Sequence, residues 1–210
     1  MAIRTLYDQR NREIKSNNIV SAVLYVFITI IAAFVIINNF LFFRVSVDGE
    51  SMQPTFYTGD IVLASYYAKP ERYSVIIIKG EKENGLWLIK RAIAFGGETV
   101  RISGGYVYLK TADSEDFIKL DEDYVKSQGK TFYPNAHNPS DTLTHDFYVE
   151  SGEIFYLGDN RMNSSDSRSA FGTCTESQIV GVVSDFAIKF KTVTNFFDKI
   201  ARPINNLFNK

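Results

Sequence analysis

The stretch Leu86-Trp87-Leu88-Ile89-Lys90-Arg91-Ala92-Ile93-Ala94 decides how the chain folds. Laid out as a strand, it puts Leu88, Lys90, Ala92 and Ala94 on one face and Ile89, Arg91 and Ile93 on the other. Turn signals bound it, Asn84-Gly85 before and Gly96-Gly97 after. Similar short runs lie on both sides: Ile61–Tyr66, Tyr73–Lys79, Thr99–Ser103 and Tyr106–Leu109, then Phe147–Val149, Ile154–Leu157 and Ile179–Phe190. Gly80, Gly104-Gly105 and Gly158 separate them, and Asn84-Gly85 and Gly104-Gly105 are hairpin signals. The 17 Phe and 12 Tyr suit strands better than a helical bundle. No long helical period follows residue 43. The expected fold is therefore mostly β, an external β-sheet or barrel-like domain over residues 44–191.

Two segments break the pattern. Residues 110–146 are polar, rich in Asp, Ser, Asn and Pro, and show little alternation. They read as an excursion from the core. Residues 192–210 mix Phe197, Ile200, Ile204 and Phe208 with polar side chains. A short amphipathic helix and a frayed tail both fit that stretch.

Before the β region, Ser16 to Phe43 carries no charged side chain, and Ile19 to Ile37 is almost wholly apolar. At about 1.5 Å per residue the run matches a bilayer core of about 30 Å. It is apolar on every face, which argues against a buried helix of a soluble protein. A cleaved secretory signal would have a shorter apolar run and a small-x-small site after it. Asn38-Asn39-Phe40-Leu41-Phe42-Phe43 follows instead, so residues 19–43 are expected to be an uncleaved transmembrane anchor. Arg4, Arg10, Arg12 and Lys15 precede it, and Arg44 is the nearby basic residue after it. The positive-inside rule places residues 1–18 in the cytoplasm and the β domain outside the cell membrane. Phe40, Phe42 and Phe43 are expected at the outer lipid boundary.

Composition excludes several classes of function. With 23 basic and 24 acidic side chains the net charge is −1, without the basic field of a nucleic-acid binder. The one cysteine, Cys174, offers neither an intrachain disulfide nor zinc-ligand spacing. The two histidines, His137 and His145, fall in the polar excursion and read as surface residues.

Three segments carry chemistry. Gly49-Glu50-Ser51-Met52-Gln53-Pro54-Thr55 holds a serine in a bend between glycine and proline. Lys90 projects beside small and apolar groups, where lost hydration favours the neutral amine. Such an amine can take a proton from a serine hydroxyl. By itself, a strand lysine snorkelling to water explains Lys90 better. The third segment is the polar run Gly158-Asp159-Asn160-Arg161-Met162-Asn163-Ser164-Ser165-Asp166-Ser167-Arg168. There Asp166 and Arg168 can pair, and Ser164 can orient an amine by hydrogen bond.

Taken together, Ser51-Met52-Gln53-Pro54-Thr55, Gly59-Asp60-Ile61-Val62, Lys90-Arg91 and Gly158–Arg168 resemble, in order and character, the motifs of the type I signal peptidases in their short, single-anchor bacterial form. The resemblance runs from the anchor to about Val183. It implies a membrane-bound endopeptidase that removes signal peptides from exported preproteins after small-x-small sites. Ser51 would be the nucleophile and Lys90 the general base, working through an acyl-enzyme. The Ser51 backbone N–H would donate to the oxyanion. Ser164 would orient Lys90, Asp166 and Arg168 would brace the site, and Asp159 and Asn160 would hold the loop. Val47 and Ile89 would wall shallow pockets for small side chains. Preprotein signal peptides, membrane lipid and the secretion translocon are the partners it implies, with no nucleic acid, metal or organic cofactor.

Two positions depart from the family pattern. Gly49 stands where some members carry a serine whose hydroxyl helps bind the oxyanion, and Ala94-Phe95-Gly96-Gly97-Glu98 stands where Gly-Leu-Pro-Gly-Asp is common. The family's secondary β-domain is expected to be reduced to something near residues 104–146.

Other readings fare worse. A Ser–His–Asp hydrolase lacks a Gly-x-Ser-x-Gly elbow here. Lys90-Arg91 argues against the signal peptidase branch in which histidine replaces the lysine. A self-cleaving Ser–Lys repressor would carry a DNA-binding domain in place of the apolar segment. The alternative from a different class is a non-catalytic, membrane-tethered β-domain that binds exported chains.

Overall fold

The computed structural model describes residues 2–80, 87–125, 130–132, 143–169, 171–184 and 188. The Asn84-Gly85 turn, His137 and the 192–210 stretch lie outside these residues. The chain divides into two units, residues 1–42 and 43–210.

The first unit is one helix, α1, Ala2–Leu41. Its segment Asn18–Ile36, with mean hydropathy 2.8, is long and apolar enough to cross a membrane. The helix begins well before the apolar run, so the basic residues expected on the cytoplasmic side continue it. It also stops at Leu41, two residues short of the expected anchor boundary.

The second unit is β. Its strands are β1 (Phe42–Ser46, which starts at the last residue of the first unit), β2 (Ile61–Ser65), β3 (Val75–Lys79), β4 (Trp87–Phe95), β5 (Thr99–Ser103), β6 (Tyr106–Lys110), β7 (Ile118–Lys119), β8 (His145–Tyr148), β9 (Glu153–Leu157), β10 (Cys174–Thr175) and β11 (Ile179–Val183). They form a seven-stranded sheet, β1-β2-β11-β3-β4-β9-β10, and a four-stranded sheet, β7-β6-β5-β8. The resolved pairings are antiparallel. β3 is buried from Val75 to Ile78, as the continuous apolar run of a central strand requires. The hairpin expected at Gly104-Gly105 joins β5 to β6, with both glycines at positive φ, 59° and 86°.

Two core clusters fix the site. Met52, Phe56, Val62, Val75, Ile77 and Ile89 pack beneath the Ser51 loop. Ile93, Val100, Val107, Leu109, Phe155 and Leu157 close the space shared by the two sheets. Burying each such side chain contributes about 1.5–3 kcal/mol.

The structure corrects the reading of residues 110–146. Within it lie β7, a 3-10 turn over Asp123–Val125, and the buried Val125, Thr131 and Phe132. His145, expected on the surface, is half-buried in β8 opposite Ile102. This segment packs through charge and aromatic contacts, which leave no apolar periodicity to read.

Candidate active site

The Ser51 loop is a closed bend over residues 47–60. Val47 N–H donates to the Asp60 carbonyl (2.8 Å) and Gly59 N–H to the Val47 carbonyl (2.9 Å). Gly49, at φ 93°, takes a conformation that side-chain-bearing residues rarely adopt. Its N–H donates to Thr58 Oγ1 (3.2 Å), and that hydroxyl donates back to the Gly49 carbonyl (3.1 Å). Met52 and Phe56, 1% and 0% exposed, pin the bend into the core.

β4 delivers Lys90, which is 4% exposed. Its Nζ donates to Ser51 Oγ at 2.8 Å and to the Ile89 carbonyl at 3.1 Å. The two residues open on a cleft of about 400 Å³ whose lining includes Val45, Val47, Ile77, Trp87, Leu88 and Ile89. The two expected pocket residues, Val47 and Ile89, are thus brought to the same cleft as Ser51 and Lys90.

The polar run wraps the opposite side. Asn160 N–H donates to the Ser51 carbonyl (2.9 Å), and Asn160 Nδ2 to the Glu50 carbonyl (3.2 Å). Asp159 accepts from Thr55 Oγ1 (2.5 Å) and from two nitrogens of Arg91, Nε at 2.8 Å and Nη2 at 2.6 Å. Burial works against the charge on Arg91, and the hydrogen bond and charge of Asp159 outweigh it, so the guanidinium holds its proton more firmly than usual. Asp159 and Asn160 therefore sit where loop-holding residues were expected.

Asp166 and Arg168 form the expected pair. Arg168 Nε and Nη2 each donate to Asp166 at 2.8 Å, with both residues buried. Arg168 also donates to the carbonyls of Phe132 (3.0 Å) and Arg161 (2.9 Å). Burial would raise the Asp166 pKa, but the hydrogen bonds and charge of Arg168, with bonds from Gly158 N–H and Ser164, bring it below the ordinary value. Ser164 lies against Gly158, 4% exposed, with its hydroxyl engaged by Asp166.

Several residues were missed by sequence reasoning. Arg91 and Thr55 were quoted in motifs without a role. Arg161 is 1% exposed and donates to Glu122, to Thr131 Oγ1 (2.6 Å) and to the Gly158 carbonyl (3.0 Å). Glu122 sits in Asp121-Glu122-Asp123, a charge run that reads as solvated. No local signal marks one carboxylate of three as the partner of a buried arginine.

An antiparallel β domain with a serine and a lysine in hydrogen-bond contact at a cleft has the frame of a serine peptidase. The family described as "Signal peptidase, peptidase S26" matches residues 19–187. "Signal peptidase I" of Bacillus amyloliquefaciens is 34% identical over 154 residues, covering 70% of this chain and 76% of the relative. "Signal peptidase I P" of Bacillus subtilis subsp. natto is 29% identical over 184 residues, 84% of this chain and 92% of the relative. A crystal structure of a signal peptidase I from Enterococcus faecalis V583 aligns at 30% identity and TM-score 0.43, over 56% of this chain and 98% of that one. The chain belongs to the signal peptidase family, peptidase S26. It is a serine peptidase of the type I signal peptidase class.

Proposed function

We propose that the chain removes N-terminal signal peptides from exported preproteins, with Ser51 as nucleophile and Lys90 as general base. The observation that carries this reading is the 2.8 Å contact between Lys90 Nζ and Ser51 Oγ. Burial of Lys90 penalises its ammonium and favours the neutral amine that the reaction needs. Lys90 Nζ takes the hydroxyl proton as Oγ attacks the scissile carbonyl, then gives it to the leaving amine. An ester to Ser51 remains. A water that loses its proton to Lys90 hydrolyses it and restores the serine. The Ser51 backbone N–H donates to the oxyanion. Ser164 orients the Lys90 amine by hydrogen bond, and the Asp166–Arg168 pair holds the polar run rigid.

Substrate is bound as an extended segment. β4 pairs with β3 from Trp87 to Arg91, whereas its pairing with β9 begins at Arg91. A peptide backbone lies beside Trp87–Ile89, beyond the β4–β9 pairing, in the manner of strand addition. Val47 and Ile89 limit the side chains admitted before the cut to small ones, which gives the small-x-small preference.

The helix over residues 19–41 holds the enzyme in the cell membrane as a single span. Residues 1–18 are cytoplasmic and residues 44–191 extracytoplasmic. Membrane lipid and the translocon that delivers preproteins are its neighbours there. The test is cleavage of a purified preprotein in detergent by wild type, Ser51→Ala and Lys90→Ala, read as product mass. Cutting after a small-x-small site by wild type alone supports the reading. Equal cutting by the folded variants overturns the Ser51–Lys90 mechanism, and no cutting by any of the three leaves a binding domain.

A further inference from the structure

The polar segment after β6 touches the site at two buried cations. Glu122 accepts from Arg161 Nη1 at 3.0 Å and from Nη2 at 2.5 Å. Tyr124 donates its hydroxyl to Glu122 (2.9 Å), and its ring centre lies 4.0 Å from the Arg91 guanidinium carbon and 5.9 Å from that of Arg161. Arg91 follows Lys90 in β4 and clamps Asp159, which holds Thr55 of the Ser51 loop. Arg161 holds the Gly158 carbonyl, and Gly158 lies against both Ser164 and the Ser51 carbonyl.

The geometry points to Glu122 and Tyr124 as positioning residues for the Ser51–Lys90 pair. Arg91 and Arg161 are like charges, 6% and 1% exposed, and Arg161 works against the proton on Arg91, an effect that Asp159 outweighs. Asp159 balances one of them. Glu122 supplies the second negative charge, and the Tyr124 ring faces both cations. Without Glu122, Arg161 is left buried beside Arg91 without its carboxylate, and the repulsion falls on Gly158-Asp159, the adjacent residues that the two arginines hold. A shift there reaches Ser51 through Gly158 and Thr55, and Lys90 through Arg91. Glu122 and Tyr124 thus set the spacing of the site without lining the cleft at Ser51 and Lys90.

This inference rests on the Ser51–Lys90 reading, so its test carries controls for that reading. Full-length enzyme in detergent is assayed on a preprotein as wild type, Glu122→Gln, Tyr124→Leu and the double variant Glu122→Leu/Arg161→Met, beside Ser51→Ala and Lys90→Ala. Glu122→Gln and Tyr124→Leu are expected to lower kcat by on the order of 10-fold or more, with KM within about twofold of wild type. The double variant removes the repulsion but also releases the Gly158 carbonyl from Arg161, so it is expected to recover the denaturation midpoint but not kcat. A purely structural role for the pair would return kcat together with stability. If Glu122→Gln fails to fold, Tyr124→Leu decides, because it keeps the apolar volume and removes the ring. Wild-type kcat in folded Tyr124→Leu and Glu122→Gln, or recovery of kcat in the double variant, overturns the inference. Persistent cutting by Ser51→Ala or Lys90→Ala instead overturns the reading beneath it.

Discussion

Arg91 and Asp159 meet through two parallel bonds, Nε to Oδ1 at 2.8 Å and Nη2 to Oδ2 at 2.6 Å, with 6% and 0% of the residues exposed. This pair ties β4 to the polar run and, through Thr55, to the Ser51 loop. Removing one partner strands the other charge in the interior. Asp159→Ala is expected to cost about 3–5 kcal/mol of stability, measured by denaturant unfolding of the folded enzyme. Arg91→Lys should recover only part of the wild-type value, because an ammonium cannot reproduce the fork.

A methyl group at Gly158 tests how closely the site is drawn together. A Cβ there would lie 2.6 Å from the Ser51 carbonyl oxygen and 2.6 Å from Ser164 Cβ, and closer still to Ser164 Oγ. Backbone must move to admit it. Gly158→Ala should lower kcat/KM by about 10²-fold, as displacements near 1 Å do, with a far smaller change in melting temperature. A fully active Gly158→Ala would show that the loop tolerates the shift.

Acid should loosen the same region. Burial pushes the Asp166 pKa up, yet Arg168 and the neighbouring donors hold it below 3.8 in the folded state. A depressed folded pKa gives stability that is present above the unfolded value and is lost as pH falls through the folded one. The denaturation midpoint should therefore hold from neutral pH down to about pH 5 and fall below about pH 4. Asp146, lowered chiefly by its hydrogen bond to Arg101, titrates in the same direction, but its exposure makes its share small. Asp166→Asn should flatten this limb, as read in unfolding curves at stepped pH.

Cys174 supplies a probe of native packing. It is 3% exposed, and burial pushes its thiol pKa up to about 12. A maleimide at pH 7.5 should leave the folded protein unlabelled and modify it stoichiometrically in denaturant. Rapid labelling of the native protein would contradict the packing of β10 against β9.

The parts of this molecule legible in the sequence are those written in apolar alternation. β2 to β6 and β9 follow their runs, and the hairpin at Gly104-Gly105 follows its dipeptide, whereas β11 ends at Val183, short of the expected Phe190, and Ile188 is helical. β1 was hidden because Phe42-Phe43 continues an apolar helix without a break. The turn at Asp123–Val125 was hidden because Glu122 and Tyr124 owe their places to two arginines, not to a pattern of their own. Ser51 and Lys90 could be named only from the joint order of several motifs. That they lie 2.8 Å apart depends on how β4 pairs with β3 and where the Ser51 loop closes, which no single segment encodes. Arg91 and Asp159 are 68 positions apart, and neither segment alone identifies the other as its partner.

The bonds that assemble the site span 39 positions from Ser51 to Lys90, 68 from Arg91 to Asp159, 104 from Thr55 to Asp159 and 110 from Glu50 to Asn160. Each is a long loop closure whose entropic cost must be met before its contacts reward it. The two longest clamp the bend around Ser51 from the segment near residue 160, so a chain that ended before that segment would keep the serine and the lysine yet lack the hold on the bend between them.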